Sequence, residues 1–180
     1  MKIISGRRGG QYVKVPKTIK VRPTTGKSKE GIFNVLNNSF DFKNLKVLDL
    51  FSGTGNISYE FESRGANVTS VDNNINTFKF LKKESNELKL DIYVLKSDVY
   101  NYLKKANQSY DIIYADPPYN FSKSEYLNII NIIFNKNLLK SDGLFLLEHS
   151  NQNDFLDQDN FYKIKKYGGC FFSFFKNLNC

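Results

Sequence analysis

Histidine occurs once in these 180 residues and cysteine twice, as Cys170 and Cys180. With no Cys-x-x-Cys pair and no Cys/His cluster, no zinc or other metal site is expected. Two late cysteines also make no disulfide framework of the secreted kind. Both read as unreactive thiols, and His149 reads as a structural or solvent-facing residue. Long apolar runs are missing too. No uncharged stretch could span a bilayer, and Met1 to Gly10 is polar and basic, unlike a signal peptide. Acids are the minority charge, 18 Asp and Glu against 26 Lys and Arg, for a formal net charge of +8. The expectation is a soluble, cytoplasmic, monomeric protein with no membrane partner, whose cationic excess suits an anionic one.

What is present is 41% hydrophobic and reads as one globular domain over 1–180, with a basic N-terminal extension at about 1–40. The opening segment carries Lys2, Arg7, Arg8, Lys14, Lys17, Lys20 and Arg22, punctuated by Gly9-Gly10 and Pro16. It is expected to form short extended pieces and turns. Thr24 or Thr25 can cap a helix over about 26–39, where Ile32, Phe33 and Leu36 recur at helical spacing. Strands are then expected at Val47–Phe51, Val68–Asp72, Ile92–Leu95, Ile112–Ala115 and Leu144–Glu148. Helices fall near 56–64, 74–88, 98–106 and 123–135, the second placing Phe78, Leu81 and Leu88 on one face and Lys79, Lys82 and Lys83 in solvent. Short apolar strands alternating with helices call for an α/β fold, a parallel sheet covered on both faces. Phe161–Lys166 and Cys170–Phe175, joined through Gly168-Gly169, read as an antiparallel C-terminal hairpin. The aromatic run Phe171 to Phe175 is a core strand first and a base-stacking surface second.

Chemistry concentrates at strand ends. Asp49, Phe51, Ser52, Gly53, Thr54 and Gly55 leave the first strand and enter a helix, a turn that lets backbone approach a ligand closely. Asp72 ends the second strand, where a carboxylate can accept from vicinal ribose hydroxyls, and Asp98 follows the third, placed for an adenine amino group. Each acid alone could instead cap the next helix. A dinucleotide site would want Gly-x-Gly-x-x-Gly, but position 58 is Ser58 and no pyrophosphate-binding helix terminus follows. An aspartate opening the loop suits a zwitterionic sulfonium ligand, S-adenosylmethionine. After the fourth strand comes Asp116-Pro117-Pro118-Tyr119. A base amino group is a poor nucleophile until acceptors draw its hydrogens. The Asp116 carboxylate and Pro117 carbonyl can do this, the prolines fix their aim, and Tyr119 offers a stacking face for an extruded base.

These motifs, with Ile3-Ile4-Ser5-Gly6, Arg22-Pro23-Thr24-Thr25, Lys29 to Leu36 and Ser63-Arg64-Gly65-Ala66, resemble the bacterial small-subunit (16S) rRNA guanine-N2 methyltransferases over nearly the whole chain. Lys27 and Lys29 stand where that family often has arginine, and Asp72 where Glu is common. The resemblance implies a Rossmann-like class I methyltransferase with a seven-stranded sheet and S-adenosylmethionine as cofactor. Its substrate would be a guanine of small-subunit rRNA, in assembled or assembling particles. Arg7, Arg8, Arg22, Thr24 and Thr25 are then expected at the RNA. The rival readings are a DNA adenine-N6 or cytosine-N4 methyltransferase and a non-catalytic RNA-binding assembly factor. The first usually needs a target-recognition region for which this chain has no spare length.

Overall fold

The computed structural model describes residues 1–19, 26–118 and 120–177. Arg22, Thr24, Thr25, Tyr119 and Cys180 lie outside the described residues. In chain order the elements are α1 (Gly26–Asn37), β1 (Lys46–Leu50), α2 (Asn56–Ser63), β2 (Asn67–Asp72), α3 (Ile75–Glu87) and β3 (Ile92–Lys96). They continue with α4 (Val99–Lys105), β4 (Tyr110–Ala115), α5 (Lys123–Asn135), β5 (Leu139–His149), β6 (Phe161–Tyr167) and β7 (Cys170–Phe175). One seven-stranded sheet runs in the order β3-β2-β1-β4-β5-β7-β6. β3 through β5 are parallel, and β7 pairs antiparallel with both β5 and β6.

Alternation along the central strands sends side chains into two cores. Val47, Ile112, Tyr114, Leu146 and Phe172 meet α1, α2 and α3 on one face. Leu48, Ile113, Ala115, Phe145 and Phe175 meet α4 and α5 on the other. Both faces of the parallel strands are thus covered, which is why those strands are apolar almost throughout. Of the run Phe171 to Phe175, Phe172, Phe174 and Phe175 are fully buried in these cores and Phe171 is half-buried.

Two local expectations need correction. The buried stripe of α3 is Thr77, Phe80, Leu81 and Ser85. Phe78 stays half-exposed, with the Lys82 ammonium 5.8 Å above its ring. At 100° per residue Phe78 falls at the edge of a stripe centred between Phe80 and Leu81. The first strand also stops at Leu50, because Phe51 turns into the left-handed region at φ 58°.

Residues 1–13 fold back as an antiparallel pair bridged at Lys2 and Tyr12, with Ile3 and Val13 buried. Glu60 of α2 anchors this pair. Its buried carboxylate accepts the Ile4 N–H at 2.7 Å and the Ser5 N–H at 3.0 Å, and it pairs with Lys29 at 3.3 Å and Arg64 at 2.8 Å. The Lys29 ammonium, itself 2% exposed, also donates to the Lys2 carbonyl and the Asn56 side chain. Burial lowers its pKa, and Glu60 opposes that fall. Breaking a buried pair from one side strands the other charges, at a cost of about 3–5 kcal/mol. Urea unfolding of Glu60→Ala is therefore expected to show a loss of that size, and a loss under ~1 kcal/mol would contradict the anchoring role.

Candidate active site

In a parallel sheet the ligand crevice opens at the carboxyl ends of the strands where the order reverses, here between β1 and β4. Leu50 pairs with Ala115, and the Asp116 N–H reaches the Leu50 carbonyl at 3.4 Å. That register sets the Asp116 segment beside the glycine loop.

The loop is built from left-handed residues: Phe51 at φ 58°, Gly53 at 53° and Gly55 at 86°. For a bulky aromatic this is strained backbone, and such strain of about 1–3 kcal/mol gathers at functional sites. Gly55 has a second reason to be glycine, since a Cβ there would stand 2.2 Å from Leu81. Above Gly53 the space is open, with only the Phe51 carbonyl oxygen at 3.9 Å. The Gly53 N–H donates to Asp72 at 2.8 Å, and the Ser52 N–H to the Val71 carbonyl at 3.1 Å. Asp72 also accepts from the Asn74 N–H and the Thr77 hydroxyl.

Asp49 is 1% exposed. The Ser58 hydroxyl donates to it and lies 2.6 Å from the Ser70 hydroxyl. Burial pushes the Asp49 carboxyl up to about 7, with Asp72 adding to the rise and Ser58 opposing it. Ser58, whose presence breaks the dinucleotide pattern, is thus the residue that holds the loop's acid. The Ser52 hydroxyl is buried without a hydrogen-bond partner.

A cavity of about 1140 Å³ opens over this loop, and Asp72 is not among its lining residues. Asp49, Phe51, Ser52, Gly53 and Thr54 form one wall, and Tyr114 and Asp116 lie beside them. The N-terminal pair and the first turn of α1 close the other side. A small-molecule site takes about 300–1,000 Å³, so this volume leaves room for a second group beside a nucleoside-sized one. Pro117 is buried and Pro118 exposed. The Phe121 ring meets Phe51 edge-on at 5.4 Å and lies parallel to Tyr100 at 6.5 Å, tying the Asp116 segment to the glycine loop.

The remaining candidates lie elsewhere. Asp98 is exposed and accepts the Asn101 N–H at 3.0 Å, so it caps α4, and it is not among the cavity residues. Arg7 pairs with Glu62, and the Arg7 and Arg8 backbone N–H groups donate to Ser63 at the end of α2; neither arginine lines the cavity. His149 is buried. Its Nδ1 sits 2.8 Å from the Ser150 carbonyl, which can only accept, so Nε2 accepts from the Ser173 hydroxyl. Ser70 and Tyr114 carry no motif that singles them out for the site in the sequence, and the Lys29 motif does not show that Lys29 is buried beside it. The Tyr114 hydroxyl donates to the fully buried Glu148 at 2.7 Å while its ring lines the cavity next to Asp116. Strand alternation is the one available signal, since Tyr114 lies two residues before Asp116.

The family model Conserved hypothetical protein 95 matches residues 1–176. The chain is 32% identical over 169 residues to Ribosomal RNA small subunit methyltransferase D of Buchnera aphidicola, covering 92% of this chain and 85% of that protein. A hypothetical protein of Thermus thermophilus superposes with a TM-score of 0.86 at 20% identity, over 98% of this chain and 99% of the other. The magnesium protoporphyrin IX methyltransferase of Synechocystis, solved with bound S-adenosylmethionine, shares the fold at a TM-score of 0.64 and 13% identity, over 82% of this chain and 76% of that one. This fold is the Rossmann-like class I methyltransferase fold, with a mostly parallel seven-stranded sheet and an antiparallel C-terminal hairpin. The chain belongs to the Conserved hypothetical protein 95 family, with the small-subunit ribosomal RNA methyltransferase D proteins among its relatives.

Proposed function

We propose that this chain transfers a methyl group from S-adenosylmethionine to the exocyclic N2 amino group of a guanine in small-subunit rRNA. The observation that carries the reading is the β1–β4 register, which sets Asp116 on the same cavity as Asp49 and the open face of Gly53.

The residues present fit the methyl donor. A buried carboxylate whose pKa burial raises to about 7, an unpartnered buried hydroxyl at Ser52 and an open Gly53 suit a ligand carrying an ammonium and a sulfonium. Asp49, Ser52 and Thr54 would hold its amino-acid end. Asp72 has three of about four acceptor positions in use and can take a ribose hydroxyl. Asp98, which caps α4 outside the cavity lining, would offer its second oxygen to the adenine amino group. When bound, S-adenosylmethionine supplies a methyl made electrophilic by the sulfonium.

The chain supplies the rest. Asp116 and the Pro117 carbonyl accept the two amino hydrogens, which turns the nitrogen lone pair out of conjugation and towards the methyl. Pro117 and Pro118 hold those acceptors still, and Tyr119 stacks the extruded base. The methylated nitrogen is acidic and gives its proton to solvent, so no strong base is needed. Rate then comes mainly from holding nitrogen, methyl and sulfur in line. Small-subunit rRNA as substrate rests on the relatives that align over most of this chain. The protein acts in the cytoplasm as a monomer on assembled or assembling particles, with Arg22, Thr24 and Thr25 near the RNA.

Methyl-labelled S-adenosylmethionine, offered with small-subunit particles, naked small-subunit rRNA or duplex DNA, tests this reading. Label is expected in the particle arm, with naked rRNA the poorer substrate. Label in DNA alone would mark a DNA methyltransferase, and cofactor binding without transfer to any arm would mark a non-catalytic factor.

A further inference from the structure

Some of the cations that attract attention in the sequence are committed in the fold, whereas Lys2, Lys14 and Lys17 have no carboxylate partner among the described residues. Arg7 pairs with Glu62, Lys29 and Arg64 with Glu60, Lys83 with Glu87 and Lys140 with Asp111. The C-terminal hairpin also carries cations of this second kind. From Phe161 to Lys176 there are four lysines and no acid. None of the four, Lys163, Lys165, Lys166 and Lys176, has a carboxylate partner among the described residues. Lys166 lies 5.2 Å over the Phe171 ring and Lys176 4.3 Å over Tyr162, while Lys165 is exposed.

Strand direction places the tip of this hairpin. β5 runs parallel to β4, so His149 lies at the same end of the sheet as Asp116. His149 pairs with Phe171, and Tyr167 with Cys170, so Lys165, Lys166 and the Gly168-Gly169 turn stand at that end as well. From β4 to β6 is three strand spacings, roughly 14 Å at about 4.8 Å each. The tip is also joined to the cavity wall. Tyr167 packs so closely on α1 that a Cβ at Gly31 would stand 2.3 Å from its ring, and the Ser28 hydroxyl donates to the Tyr167 carbonyl at 3.3 Å. The first turn of α1, which lines the cavity through Gly26 and Lys29, adds exposed Lys27 to the same rim.

We infer that the β6–β7 tip, through Lys165 and Lys166 with Lys27 beside them, binds phosphates of the RNA strand that flanks the target base. The inference rests on the rRNA reading above and deepens it. Phosphate contacts of this kind set register and affinity without reading sequence. Lysines on an edge strand also guard against edge-to-edge pairing, and that role alone is the competing account.

Charge reversal separates the two. The variants K165Q/K166Q and K165E/K166E are compared with the parent for affinity to small-subunit particles across a salt series, with size-exclusion profiles and S-adenosylmethionine affinity measured alongside. The glutamine pair is expected to flatten the log K against log salt slope by about 0.7–0.9 for each phosphate no longer neutralised. The glutamate pair, which still blocks the edge by charge, is expected to weaken binding further. Both should keep the parent's cofactor affinity. Salt slopes parallel to the parent's in a soluble glutamate pair would overturn the inference and leave edge protection alone. A parent that binds no small-subunit particle would overturn the rRNA reading itself, and this inference with it.

Discussion

Replacing Asp116 with alanine is expected to lower kcat by about 10²–10³ while leaving S-adenosylmethionine affinity close to the parent's. That is the usual loss when one preorganised polar partner of the transition state is removed. Asp116 sits at the carboxyl end of β4, fixed by the pairing of Ala115 with Leu50, and it lines the cavity beside the glycine loop. In the proposed mechanism Asp116 acts on the target nitrogen, so the loss belongs in kcat and not in cofactor binding. Asp116→Asn keeps one acceptor oxygen and should retain part of the activity. Single-turnover methyl transfer with particles in excess, set beside calorimetric cofactor titration, separates the two quantities. Unchanged turnover in the alanine variant would remove Asp116 from the chemistry.

Asp49→Asn should show two effects of opposite sign. In the cofactor-free protein the carboxyl titrates near 7, well above its ordinary value of 3.8, because burial disfavours the charged form. The folded state therefore holds this proton more tightly than the unfolded chain. Any such penalty is absent below the unfolded pKa, grows as pH rises towards 7 and is constant above it. At pH 8 the charged carboxylate costs the fold on the order of a few kcal/mol. The asparagine variant should therefore melt at a higher temperature at pH 8 and lose this advantage near pH 4.

Cofactor binding should respond the other way. A cationic ligand beside Asp49 favours the ionised form, so binding below pH 7 must expel a proton. Parent affinity should climb by up to tenfold per pH unit towards 7 and level off above it. The asparagine variant should bind more weakly at pH 8 and show a flat profile. Calorimetric titration between pH 5 and pH 8 gives both curves, and matching profiles would mean that the cation does not sit beside Asp49.

Much of this is legible in the sequence because it is local. The run Ile112-Ile113-Tyr114-Ala115 is apolar on both faces, as only a doubly covered strand can be, and the Gly53 and Gly55 turn falls where a strand must give way to a helix. The capping of α4 by Asp98 is visible as an alternative for the same reason. What escapes is non-local. Arg7 and Arg8 look free in the sequence, and only the docking of the N-terminal pair on α2 brings Glu62 and Ser63 against them. Lys29 looks like one more surface lysine until Glu60, thirty-one positions later, is found across a buried gap. Ser58 reads as a defect in a glycine pattern, because its hydroxyl reaches Asp49 only after α2 folds back on β1. Phe78 reads into the buried stripe of α3 because aromatic weight outvotes angle, whereas Thr77 and Ser85, small enough to let the helix approach the sheet, fill it.

The central claim is tested most directly by the chemical identity of the product. Small-subunit particles from a strain lacking the protein, incubated with the purified enzyme and S-adenosylmethionine, are digested to nucleosides and analysed by mass spectrometry against the untreated control. The account predicts a gain of one N2-methylguanosine, absent when Asp116→Ala replaces the parent. A gain of a methylated adenosine or cytidine instead, or no methylated nucleoside at all, would contradict it.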